Sequence, residues 1–158
     1  MAGIELQAWL DGIRLPLNSS HAGRTAGVLE RRAEAERDVI IAARIAAGDD
    51  TDATLRLLSE AVAREVRSPG FRGCPFINAS AAYPDPEHPT RVVVEGHREW
   101  LLAEFEDLAV SAGIHRSTVA EELMMLRDGA MVSGYLGDAA GVGPALLSAG
   151  RAVIARSR

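Results

Sequence analysis

The chain has 158 residues, of which 47% are hydrophobic and 25% charged, with a net charge of −5 at pH 7; this length and mix make one globular unit and exclude a disordered chain. A single cysteine excludes an internal disulfide and any Cys-rich metal site, and no apolar run approaches the roughly 20 residues that span a bilayer. With no export signal at the N-terminus either, a cytoplasmic protein without a membrane partner is expected.

Along the chain, Met1 to Leu10 allow one short helix, whereas Pro16 and the run from Asn18 to Gly23 read as a loop. Helical periodicity dominates from Val28 onward. A first helix is predicted over 28–47, with Glu30, Glu34 and Arg37 spaced to pair on a solvated face, and Gly48 stops it. Asp50 or Thr51 caps a second helix to about Arg67, whose apolar stripe is Leu55, Leu58, Val62 and Val66. Pro75, Pro84, Pro86 and Pro89 then forbid one long helix: Pro75 fits the first position of a short helix ending near Ala82, and 83–88 read as an extended linker. A long helix over 89–112 places Val93, His97, Leu101, Phe105 and Leu108 along one face, with Trp100 beside them. The next runs from Ser117 or Thr118 to about Gly134, Thr118 and Glu121 having capping-box spacing, and the last from about Pro144 to Arg156. The fold class is therefore all-α, a helical bundle of about five to six helices plus a short N-terminal one.

Chemistry on this framework is sparse. All 17 basic residues are arginine, which together with abundant alanine reads as compositional bias, and no stretch is basic enough for phosphate-dominated nucleic-acid binding. Cys74 and His97 would need an orienting carboxylate to act as nucleophile and base, and none is suggested. The four histidines lack ligand spacing, so no catalytic residue, metal or cofactor is assigned. Phe76, Ile77, Asn78, His97, Trp100, Met124 and Met131 combine apolar surface with a few polar groups, as a small-molecule site requires. Taken singly, each also suits an ordinary core position. The two closing helices are apolar on more than one face. Leu123, Leu126, Ala130, Leu146, Leu147, Val153 and Ile154 are therefore candidates for a homodimer interface, a four-helix bundle with the partner's counterparts, unless these helices lie centrally in the monomer.

Three stretches carry a family resemblance: Gly70-Phe71-Arg72-Gly73-Cys74-Pro75-Phe76-Ile77-Asn78-Ala79, then Pro84-Asp85-Pro86-Glu87-His88-Pro89, then His97-Arg98-Glu99-Trp100-Leu101. Together with Val28-Leu29-Glu30-Arg31-Arg32 and the Leu126 to Ala130 segment, they resemble the C-terminal regulatory domain of the TetR family of transcriptional regulators. The resemblance implies that 28–158 form a ligand-sensing and dimerising domain with a small apolar effector, and that 1–27 stand where a helix-turn-helix, truncated or degenerate, would lie. Three such helices need roughly 40 residues, and only His21 matches the end of the family's recognition helix. The chain is thus expected to lack an intact DNA-reading head and to meet DNA only through one supplied upstream or by a partner chain. The alternative is a DNA-independent helical dimer that holds a small apolar ligand or pairs with an intact regulator.

Overall fold

Six helices account for nearly all of residues 19–158, the part of the chain described in the computed structural model, with side chains described from Gly23 onward. They are α1 (Ser19–Ala47), α2 (Thr51–Val66), α3 (Pro75–Ala82), α4 (Pro89–Ser111), α5 (Ser117–Leu136) and α6 (Ala139–Ser157). No strand occurs among the described residues, so the all-α class holds. None of the described helices is long and apolar enough to cross a membrane.

Local chemistry sets most of these boundaries. The Asp50 side chain accepts a hydrogen bond from the Ala53 amide and caps α2. Pro75 and Pro89 sit at the first positions of α3 and α4, where a missing N–H costs nothing. His88 Nδ1 accepts from the Thr90 amide and caps α4. The linker between α3 and α4 is pinned by a stack of Tyr83 on His88 and by a 3.3 Å hydroxyl contact from Tyr83 to Thr25 of α1.

Four expectations are corrected. Ser19 to Gly23 are helical, and α1 passes residue 28 without a break, because nothing there interrupts the backbone ladder; the short helix expected at Met1 to Leu10 lies outside the described residues. Arg116 precedes α5 as its cap, so Thr118 and Glu121 lie inside the helix and form no capping box. The last helix begins five residues before Pro144: the Asp138 side chain accepts from the Ala140 amide, and Pro144 sits on an exposed side in the second turn. Arg37 does not pair on a solvated face but lays its guanidinium 5.2 Å from the Trp100 ring centre.

The core has two parts. Ile40, Leu55, Leu101, Phe105, Leu123 and Val153 belong to one; Leu29, Val66, Cys74, Phe76, Val94 and Met131 to the other. α2 runs close against α5 and α6 because glycines face it. A Cβ at Gly134 would meet Val66 at 2.5 Å, and one at Gly143 would meet the Ala63 Cβ at 2.8 Å. The α1 and α4 sides of α2 have no such contacts, and the room left there forms the cavity described below.

Candidate functional site

Four turns of α1 present Arg32, Glu36, Ile40 and Arg44 on one face, four residues apart, which at 1.5 Å per residue span about 18 Å. This face lines a cavity of about 330 Å³, shared with α2, Pro75, α4 and α5. The walls are mostly apolar, with Leu58 and Val62 from α2, Leu101 and Phe105 from α4, and Met131 from α5. Six of the seven charged side chains around it are paired: Arg32 with Glu65 of α2, Arg44 with Glu104 of α4 at 2.6 Å, and Glu36 with Arg127 of α5 at 2.6 Å; the seventh, Arg64 of α2, is exposed.

The last pair is the deepest. The Arg127 side chain is only 8% exposed. Its Nη2 donates to Glu36 Oε1, while its Nη1 donates to Cys74 Sγ at 3.3 Å and to Asp128 Oδ1 at 3.2 Å. Asp128 Oδ2 in turn accepts from Arg98 Nη1 at 2.7 Å. Glu36 Oε2 lies 3.3 Å from His97 Nε2, close enough to pair but out of line for a hydrogen bond. Burial by itself would raise the Glu36 carboxyl; the His97 contact and the Arg127 charge outweigh it and hold it down at about 2. Burial likewise works to lower Arg127, and Glu36 and Cys74 together more than offset it, so the guanidinium stays charged. One ion pair thereby joins α1, α4, α5 and the loop that starts α3.

Of the seven residues expected to line a ligand site, only Met131 borders this cavity. Phe76 is 1% exposed and stacks on His97 with ring centres 3.8 Å apart; both are core, and neither faces open space. Trp100 lies with its ring centre 6.2 Å from that of His97 and carries Arg37. Met124 is buried in the first core cluster, and Ile77 packs half-buried on the second. Asn78 is exposed, and its Nδ2 donates to the Arg72 carbonyl at 2.9 Å, bracing the loop. A sequence signal for one of the residues that line this cavity existed: Arg127 stands between Leu123 and Met131 at four-residue steps, a cation on an otherwise apolar helix face.

The expected interface residues also divide. Leu123, Val153 and Ile154 are buried within the chain's own core and are not free to meet another subunit. Leu126 and Leu147 are half-buried against that core, and Ala130 and Leu146 are half-buried as well. Outward from α5 stand Met125, Val132 and Leu136, with Met125 67% and Leu136 76% exposed. Beside them α6 exposes Ala145, Ser148, Ala152 and Ala155 at helical spacing. Among the described residues, no three His, Cys, Asp or Glu side chains are grouped to hold a metal ion.

No protein-family model matches the chain, and neither does any curated protein sequence. Among solved structures it is similar to a TetR-family transcriptional regulator from Streptomyces coelicolor, with a TM-score of 0.77 and 33% identity over 84% of this chain and 70% of that one.

Proposed function

We propose, from the premise that the chain belongs to the TetR family of transcriptional regulators, that residues 28–158 are the part of such a regulator that binds a small, largely apolar effector and dimerises. DNA is read through a helix-turn-helix that residues 28–158 do not supply. The observation that carries the reading is the cavity of about 330 Å³ between α1, α2, α4 and α5. Its size lies at the small end of the roughly 300–1,000 Å³ of ligand sites, and its apolar walls with a few convergent polar groups are what such sites need. No catalytic role is assigned: Cys74 faces Arg127 and not a base.

The dimer forms through the outer faces of α5 and α6. An apolar ridge on one helix beside small side chains on the next lets two copies approach closely and close a four-helix bundle about a two-fold axis. A regulator works only if its effector prefers one arrangement of the subunits over another. The cavity favours that coupling, since its wall includes α5 and its longest side is α1, the helix that leads to the N-terminal segment.

A thermal-shift screen of small apolar compounds on wild-type protein and on Ala61→Trp, whose ring fills the cavity, tests the proposal. A ligand at a hundredfold excess over its Kd stabilises by about 2.7 kcal/mol, or roughly 5 to 10 °C for a chain of this size. Hits that stabilise wild type and leave Ala61→Trp unmoved support the cavity. A folded variant that responds to the same compounds as wild type overturns it.

A further inference from the structure

A second recess, of about 300 Å³, opens where α1 turns into α2. It lies end to end with the cavity along the same three helices. On α1 the cavity is bordered from Arg32 to Arg44 and the recess from Arg44 to Gly48, just past the helix end. On α2 the cavity takes Thr54 to Glu65 and the recess Thr51 to Thr54; on α4 the division falls at Leu108, with Leu101 on one side and Ser111 on the other. One residue from each helix thus borders both spaces, and the three form a waist. Thr54 and Leu108 are buried and fixed, Thr54 by its hydroxyl donating to the Asp50 carbonyl at 3.1 Å and Leu108 by core packing. Arg44 is different. Its side chain is 33% exposed and reaches from α1 to α4, held there by ion pairs at 2.6 Å to Glu104 and 3.4 Å to Asp107.

On the proposal that this cavity is the effector site, we infer that Arg44 sets the length of the ligand it takes: the guanidinium closes the waist, and with it gone cavity and recess become one channel for an elongated, largely apolar chain. A volume of about 330 Å³ drawn out over about 18 Å of α1 suits an unbranched chain and not a compact ring system. At about 30 Å³ for each water-sized group, the cavity holds roughly eleven non-hydrogen atoms, and the recess adds nearly as many. The plug is firm because the Glu104 side chain is only 18% exposed, so swinging Arg44 outward strands a mostly buried carboxylate. A ligand that ends at the waist leaves the pair intact. One that overruns it by a methylene or two gains too little to break the pair.

Calorimetric titration with 1-alkanols from hexanol to dodecanol is the test, on wild type and on Arg44→Ala/Glu104→Gln, whose second substitution removes the carboxylate that the first would strand. Each added methylene should tighten binding about fourfold while the chain enters apolar space. In wild type the gain should stop near 1-decanol, whose size matches the roughly eleven non-hydrogen atoms the cavity holds. In the double variant it should continue, so that 1-dodecanol binds about fifteenfold more tightly than 1-decanol. Adding Ser111→Trp, which sets a ring in the recess, should bring the limit back to 1-decanol. A gain in wild type that runs on through 1-dodecanol, a double variant that stops at the same length as wild type, a limit that Ser111→Trp does not restore, or alkanols that none of these proteins binds would each overturn the assignment. The compound screen against Ala61→Trp judges the cavity independently, so a failure of the length limit is distinguishable from a failure of the site.

Discussion

Replacing Arg127 by Met keeps the length of the side chain and removes its charge, leaving Glu36 in a mostly buried place with no cation. Breaking a buried pair from one side costs about 3 to 5 kcal/mol. Here Glu36 has an escape: it can take up a proton. From an ordinary value of 4.5, protonation at pH 7 costs about 3.4 kcal/mol at 1.36 kcal/mol per pH unit, which caps the charge-burial part of the loss. The expected loss is therefore about 3 kcal/mol, a fall in melting temperature of roughly 6 to 12 °C. Adding Glu36→Gln removes the stranded charge, and the double variant should return to within about 1 kcal/mol of wild type. Urea unfolding at pH 7, followed by circular dichroism, measures all three proteins. A single variant that loses less than about 1 kcal/mol, or a double variant no more stable than the single, would refute the view that this pair holds α1 to α5.

The same group makes stability depend on acid. The folded-state Glu36 carboxyl lies below its ordinary value, so its contribution is full above pH 4.5 and is lost as pH falls towards 2; wild type should lose about 3 kcal/mol from this group over that range, and Glu36→Gln should not. Gly143→Ala should destabilise by about 1 to 2 kcal/mol in thermal melts, because a Cβ there lies 2.8 Å from that of Ala63 and overpacking outweighs the gain in helix propensity. Gly96→Ala, where a Cβ meets nothing within 4 Å, should instead stabilise by about 0.5 to 1 kcal/mol. Met125→Asp/Val132→Asp should halve the mass seen by light scattering without loss of helix content, since both side chains face outward. Leu126 and Leu147 are poorer targets because both also pack on the core.

The helices between Thr51 and Ser111 were legible to within a residue or so, because prolines and capping side chains mark their ends. The start of α6 was not. Pro144 resembles a first-turn proline, and nothing local says that the helix tolerates it five residues in. The site was less legible than the fold for a related reason. Aromatic and methionine side chains look alike in sequence whether they fill a core or line a cavity, so Phe76, His97 and Met124 were indistinguishable from lining residues. The cavity itself is a product of tertiary packing: glycines draw α5 and α6 onto α2 and leave room on the α1 and α4 sides. Residues buried by that packing, such as Leu123, Val153 and Ile154, were read as interface for the same reason.

A spin label at Arg24→Cys, exposed near the start of α1, tests most directly the claim that this is a sensing dimer, and the buried Cys74 stays unlabelled. Pulsed dipolar spectroscopy should show a defined distance between the two labels of a dimer, and that distance should change when a compound that stabilises wild type, and not Ala61→Trp, is added. No dipolar coupling, or one distance distribution with and without the compound, would contradict the account.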